Sequence, residues 1–122
     1  MRNISPSVLS ADFSNIKQQI ELVEEAGATR LHLDVMDGNF VPNLTFGPII
    51  IKGINKITNM HLETHLMINN PNKYLNDYID AGSDTLIFHY EASDNVREDL
   101  EIIRNRNVKC GLAIKPETDY RV

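Results

Sequence analysis

The stretch LHLDVMDG, residues 31–38, decides the fold of this chain. Alternation with a period of two predicts a strand with two different faces. One face is apolar and suits burial under helices, whereas the other carries an imidazole, a carboxylate and a thioether, from His32, Asp34 and Met36. Asp37-Gly38 predicts the turn that ends the strand. The polar face therefore lies at the C-terminal end of the strand, where ligands bind in parallel α/β proteins.

A second stretch, HLETHLMI at residues 61–68, has the same character. Its alternation places Glu63, His65 and Met67 on one face and leucine and isoleucine side chains on the other. Asn69-Asn70-Pro71 predicts the end of this strand. The His-x-Asp pair of the first strand and His65 of the second offer three nitrogen and oxygen donors on neighbouring strands. Such a donor set is typical of a metal site.

Strands and helices alternate along the rest of the chain, which predicts a parallel sheet. Five strands are expected, at Ile4–Leu9, 31–36, 61–68, Thr85–His89 and Val108–Ile114, with four helices between them. About four and a half β/α units make half of a (β/α)8 TIM barrel, which commonly needs about 250 residues. We therefore expect residues 1–122 to be the incomplete, N-terminal half of a single TIM-barrel domain. A small doubly wound sheet is the alternative, but no glycine-rich phosphate loop opens any helix.

The composition excludes several classes of function. A hydrophobic content of 42% and a charged content of 24% are typical of a globular protein. The net charge of −5, without a cluster of lysine and arginine, argues against a nucleic-acid partner. The lack of an apolar run near 18 residues argues against a membrane span. The single cysteine, Cys110, fits a reducing compartment, so the expected location is the cytoplasm.

Five segments of this sequence resemble the ribulose-phosphate 3-epimerase family. They are ISPSVLSADF at residues 4–13, LHLDVMDGNFVPNLTFG at 31–47, HLM before NP at 65–71, FHYEA at 88–92 and GLAIKP at 111–116. The resemblance implies a TIM barrel and an isomerase. Its reaction would interconvert D-ribulose 5-phosphate and D-xylulose 5-phosphate through an enediolate, as a step of the pentose phosphate pathway.

The resemblance also implies roles for individual residues. His32, Asp34 and His65 would bind one divalent metal ion, and Asp34 would accept the C3 proton. Zn²⁺ is favoured for this donor set, with Fe²⁺, Co²⁺ and Mn²⁺ as alternatives. Substrate contacts would come from four side chains: Ser7, His65, Met36 and Met67. The methionines would pack around the planar intermediate, where polarizable sulfur suits a shifting charge.

The family pattern includes parts expected beyond Val122, namely a second catalytic aspartate and the loops that hold the phosphate. This chain alone is therefore expected to be inactive, and the intact enzyme is expected to be a homo-oligomer with a sugar-phosphate substrate. Allulose-6-phosphate 3-epimerase and a non-catalytic half-barrel are alternatives. The related decarboxylase and synthase barrels use an Asp-x-Lys-x-x-Asp pattern. Met36 stands in place of that lysine, which argues against them.

Three further polar residues near these motifs are assigned structural roles. Asp37 is expected to cap the turn that it forms with Gly38. Glu63 shares the face of His65 but lies deeper, so a salt bridge is expected to satisfy it. His89 ends a strand on the same face as Thr85, where a structural hydrogen bond is expected.

Overall fold

Four parallel strands alternate with four α-helices in the structure, a computed structural model that describes residues 4–122. Neighbouring strands pair in the order β1-β2-β3-β4. The strands are β1 Arg30–Met36, β2 His61–Met67, β3 Thr85–His89 and β4 Lys109–Ala113. The helices are α1 Ile16–Glu25, α2 Pro48–Asn55, α3 Leu75–Asp80 and α4 Val96–Asn105. Single 3-10 turns occupy Val8–Ser10, Phe13–Asn15, Pro71–Lys73 and Tyr90–Ala92.

This order confirms the predicted α/β class. Each strand pairs in parallel with the strand that follows it in the sequence, and a helix connects the two. Successive units of a TIM barrel are joined in the same way, so the architecture is that expected of the first part of such a barrel. Within residues 4–122, every helix is too short or too polar to cross a membrane.

The hydrophobic core lies between the helices and one face of the sheet. In β1 the side chains of Leu31, Leu33 and Val35 are buried, while their neighbours in sequence are only half-buried. Apolar residues from the four helices complete this core: Ile20, Ile51, Leu75 and Ile103. Each fully buried side chain of this size contributes about 1.5–3 kcal/mol relative to exposure. The opposite face of the sheet, away from the helices, carries the polar side chains of β1 and β2.

The prediction of a strand at Ile4–Leu9 was wrong. Only Ser7 forms a bridge, with His32, and the His32 N–H donates to the Pro6 carbonyl at 2.8 Å. Pro6 has no N–H to contribute to a ladder. The Ser7 side chain then caps the turn at Val8–Ser10 by accepting the Leu9 N–H. The described chain therefore holds four strands instead of five, and Ser7 contributes only an isolated bridge beside β1.

Local sequence explains where the helices begin. Pro48 occupies the first position of α2, where its missing N–H costs nothing. Asn95 caps α4, because its side-chain oxygen accepts the Glu98 N–H. Asp12 caps the 3-10 turn that leads into α1 by accepting the Ser14 N–H at 2.9 Å. These residues thus mark where α2, α4 and the turn before α1 begin.

Asp37 holds the turn after β1, as predicted. Its carboxylate accepts the N–H groups of Asn39 and Phe40 at 2.9 and 2.8 Å, and that of Asn69 at 2.8 Å. Gly38 follows with φ of 72°, a conformation that glycine adopts without strain. Because Asn69 lies just after β2, this one side chain ties together the C-terminal ends of β1 and β2.

Candidate metal centre

Three side chains converge on the face of β1 and β2 that lies away from the helices. Their ligand atoms all lie within 4.8 Å of one another: His32, Asp34 and His65. Asp34 Oδ1 is 3.2 Å from His32 Nε2 and 3.5 Å from His65 Nδ1. The strand register produces this contact, because Asp34 and His65 are direct partners across β1 and β2. One carboxylate oxygen thus lies between two imidazole nitrogens.

The surroundings of the cluster keep His65 neutral. Burial lowers the pKa of His65, and the nearby His89 and His32 lower it further, against the opposing effect of Asp34. A neutral imidazole keeps the lone pair that binds a metal, whereas a protonated ring cannot bind. The cluster therefore combines one anionic oxygen with a nitrogen donor in its binding form.

The donor set fits a divalent transition metal. Imidazole nitrogens suit Zn²⁺, Fe²⁺ and Co²⁺, and the carboxylate adds the negative charge that such sites commonly include. Three protein donors would also leave room for a small oxygen ligand in the remaining position. These residues could hold a divalent ion. Their assignment as ligands nonetheless stays a prediction.

The second ring nitrogen of His32 has a carboxylate partner. His32 Nδ1 lies 2.7 Å from Glu63 Oε1, and the other oxygen of Glu63 lies 3.5 Å from Arg30. The predicted salt bridge of Glu63 is confirmed. With the ring hydrogen on Nδ1, the lone pair of Nε2 points to the cluster. Carboxylates that orient metal-binding histidines in this way are common around metal sites.

Hydroxyl groups fix the position of Asp34. The Ser7 hydroxyl donates to Asp34 Oδ2 at 2.5 Å, and the Thr45 hydroxyl donates to the Asp34 backbone carbonyl at 2.7 Å. The Met36 N–H in turn donates to the Thr45 hydroxyl at 3.0 Å. The sequence predicts a substrate contact for Ser7 and no role for Thr45. Its role depends on the path of the loop after β1, for which the sequence carries no local signal.

Met36 and Met67 lie at the edge of the cluster. They are register partners at the last positions of β1 and β2, and both are half-buried. Each follows a cluster residue by two positions, so it shares the face of Asp34 or His65. Their predicted contact with an intermediate stays a prediction.

His89, the last residue of β3, adds a third imidazole. Its side chain is buried, and its Nε2 lies 2.9 Å from His65 Nε2, so the expected structural hydrogen bond is confirmed. The centroids of the two rings are 5.0 Å apart with an interplanar angle of 21°, and the centroid of the Phe40 ring lies 4.9 Å from that of His89. His89 Nδ1 lies 3.3 Å from Glu91 Oε2, and the sequence predicts no role for Glu91.

Comparison with known proteins identifies the family of this chain. The model of the "Ribulose-phosphate 3 epimerase family" matches residues 3–122. The ribulose-phosphate 3-epimerase of Bacillus subtilis (strain 168) is 40% identical over 122 residues, which cover 100% of this chain and 56% of that protein. The ribulose-phosphate 3-epimerases of Chlamydia muridarum and Synechocystis sp. are each 45% identical over 94% of this chain, which covers 50% and 51% of their lengths. This chain thus spans about half the length of these relatives, and it belongs to the ribulose-phosphate 3-epimerase family.

Proposed function

We propose that this chain carries the metal-binding and proton-accepting part of an epimerase that interconverts D-ribulose 5-phosphate and D-xylulose 5-phosphate. The observation that carries the proposal is the convergence of His32, Asp34 and His65 within 4.8 Å on one face of two paired strands. Family membership supports the reaction and the sugar-phosphate substrate.

The reaction requires a base that removes the C3 proton and a group that stabilises the negative charge that results. Removing the C3 proton next to the C2 carbonyl places negative charge on the substrate oxygens, which must be stabilised. A divalent ion, Zn²⁺ in our proposal, supplies Lewis-acid stabilisation of that charge when it is bound by His32, Asp34 and His65. The proposal thus gives the cluster two roles: its three side chains would hold the ion, and Asp34 would take the C3 proton.

Asp34 is the proposed proton acceptor. The Ser7 hydroxyl holds one oxygen of its carboxylate at 2.5 Å, while the other oxygen faces the imidazoles. This contact fixes the plane of the carboxylate, so the base has one orientation relative to the substrate. We further propose that Ser7 and His65 contact the substrate, and that Met36 and Met67 pack around the planar enediolate.

Epimerisation needs a second acid-base group, because a proton must return to the opposite face of the intermediate. Within residues 4–122, Asp34 is the carboxylate in the cluster, while Glu63 is held by His32 and Arg30. We propose that the second group comes from outside residues 1–122, so that these residues alone do not turn over the substrate. A cytoplasmic location and a homo-oligomeric enzyme complete the proposal.

Metal analysis and a hybrid enzyme test the proposal. The purified chain is expected to bind one equivalent of Zn²⁺, and His65→Ala is expected to weaken binding by more than about tenfold. His61→Gln is the matched control, because His61 lies on the same strand but pairs with Thr85 at 2.7 Å. Equal Zn²⁺ affinity in wild type and His65→Ala would contradict the site.

Turnover is tested in a hybrid that joins this chain to the segment of the Bacillus subtilis relative that follows the matched region. We expect the hybrid to epimerise ribulose 5-phosphate and to exchange the C3 proton with D₂O. We expect Asp34→Asn to abolish both, because an amide cannot accept the proton. A hybrid that folds and binds Zn²⁺ but leaves the C3 proton in place would overturn the proposed reaction. Allulose 6-phosphate is the control substrate.

A further inference from the structure

The contact between His65 and His89 has two alternative hydrogen positions. The Nε2 atoms of the two rings are 2.9 Å apart, and a hydrogen bond there needs one N–H and one lone pair. A neutral imidazole carries one ring hydrogen, so either His65 or His89 donates. If His65 donates, its Nδ1, which lies 3.5 Å from Asp34 Oδ1, keeps a lone pair that can bind a metal. If His89 donates, His65 Nδ1 carries the hydrogen and cannot bind a metal.

Glu91 selects between these alternatives. Its Oε2 lies 3.3 Å from His89 Nδ1, and an ionised carboxylate only accepts hydrogen bonds. The ring hydrogen of His89 therefore lies on Nδ1, and its Nε2 presents a lone pair to His65. The other oxygen of Glu91 accepts the Lys115 N–H and the Thr118 hydroxyl, both at 2.5 Å. The segment after β4 thus holds Glu91 in the position from which it faces His89.

We propose that His89 and Glu91 are positioning residues that hold His65 as its Nε2–H tautomer, with the lone pair of Nδ1 directed to the metal cluster. The two rings meet edge to edge with an interplanar angle of 21°, so this contact fixes the orientation of His65 as well as its hydrogen. The Phe40 ring packs against the buried His89 ring and so helps to hold His89 in place. The inference rests on the proposed metal site, and it does not depend on which reaction the site performs.

The two histidines of the cluster are held by different hydrogen-bond partners. His32 donates directly to Glu63, whereas His65 donates to an imidazole and the carboxylate stands one residue further on. The sequence of β3 and the turn after it provide this arrangement, because His89 and Glu91 are separated by a single residue. In both rings the hydrogen thus lies on the nitrogen remote from Asp34, and the nitrogen nearer to Asp34 is left free to bind a metal.

Nitrogen-15 NMR of the metal-free protein near neutral pH tests the proposal without metal or substrate. Long-range ¹H–¹⁵N correlations distinguish a ring nitrogen that carries hydrogen from one with a lone pair. We expect hydrogen on Nε2 of His65 and on Nδ1 of His89. Hydrogen on Nδ1 of His65, or rapid averaging between its two tautomers, would overturn the proposal.

Substitutions test whether Glu91 sets the tautomer. In Glu91→Gln the amide can donate to His89 Nδ1, so we expect the single His65 tautomer to be lost and Zn²⁺ affinity to fall about 10- to 100-fold. Glu101→Gln is the matched control, because Glu101 is an exposed residue of α4 that faces Arg97. Unchanged tautomers and unchanged affinity in Glu91→Gln would contradict the proposal.

His89 is tested by a rescue. His89→Gln places a carbonyl where it can accept the His65 N–H, whereas His89→Phe offers no acceptor. We expect the first variant to keep the His65 tautomer and Zn²⁺ affinity within a few fold, and the second to lose both. Circular dichroism checks that both variants fold, and equal loss in both folded variants would show a merely structural role. Correct tautomers in a protein that binds no Zn²⁺ would leave this inference standing and refute the metal site.

Discussion

Replacing Asp37 with asparagine removes one link between the ends of β1 and β2. The carboxylate of Asp37 accepts the N–H groups of Asn39 and Phe40 through one oxygen and that of Asn69 through the other. Asparagine has a single oxygen. If that oxygen keeps Asn39 and Phe40, the new NH₂ group faces the Asn69 N–H, and two donors meet where a hydrogen bond stood. The change therefore acts on the tie between the strands rather than on the turn itself.

The size of the effect follows from these contacts. A hydrogen bond to a charged group contributes about 1.5–3 kcal/mol. Because Asn69 is exposed, water replaces part of the lost interaction, and we expect Asp37→Asn to lower the free energy of unfolding by about 1–2 kcal/mol. At an unfolding entropy of about 2.1 cal/mol/K per residue, a chain of 122 residues loses about 4 °C in Tm per kcal/mol. The expected fall in Tm is about 4–8 °C.

Urea and thermal unfolding, followed by circular dichroism, measure this difference. Asp94→Asn, at an exposed position, is the control and should change stability by less than about 0.5 kcal/mol. Partial burial raises the pKa of Asp37, but the N–H groups of Asn69, Asn39 and Phe40 outweigh it, so the pKa lies below its usual value of 3.8. The ionised Asp37 therefore stabilises the fold above about pH 4, and this contribution is lost as the pH falls through the lowered pKa.

The difference between wild type and Asp37→Asn should consequently shrink as the pH is lowered below about 4. Wild type and Asp37→Asn of equal stability at pH 7 would refute the assigned role of the carboxylate. A difference that stays constant down to pH 2 would show that charge is not its source.

Three further predictions concern the core, the cluster and the surface. Leu66→Ala, at a fully buried position, should lower the free energy of unfolding by about 2–5 kcal/mol in urea titrations, and a smaller loss would mean that the core collapses around the gap. Glu63→Gln should weaken Zn²⁺ binding about tenfold in calorimetric titration, because His32 loses its anionic partner. Partial burial raises the pKa of Glu91, but hydrogen bonds, chiefly from the Thr118 hydroxyl, lower it to about 2. Wild type should thus lose more stability than Glu91→Gln between about pH 4.5 and 2, and parallel pH profiles would contradict this.

The arrangement of β1 and β2 could be predicted because it follows from local rules. Alternation along a strand fixes which side chains share a face, so His32 and Asp34 had to lie together once β1 was recognised. A helix between two strands favours their parallel pairing, which brings His65 to the same edge of the sheet. The tie from Asp37 and the salt bridge of Glu63 were predictable for similar reasons, since a turn carboxylate and a buried acid each need donors.

Contacts that depend on the relative position of distant segments were not predictable. The hydrogen bond between His65 and His89 depends on the stagger of β2 against β3 and on the orientation of both rings. The contact of Glu91 with Thr118 depends on the path of the chain after β4. The strand expected at Ile4–Leu9 does not form. The apolar pattern of this segment favoured a strand, but in the fold Pro6 ends the ladder of hydrogen bonds.

The pairing of Asp34 with His65 makes the cluster sensitive to how β1 and β2 are aligned. A slip of one residue would turn every side chain of β2 to the opposite face, so that leucines would meet Asp34 and the histidine would enter the core. A cation held by both strands would therefore bind the correctly aligned sheet and no other. At a free concentration one hundred times its Kd, such an ion would favour that alignment by about 2.7 kcal/mol. The concentration of available metal would then affect how much of the protein adopts the correct strand alignment.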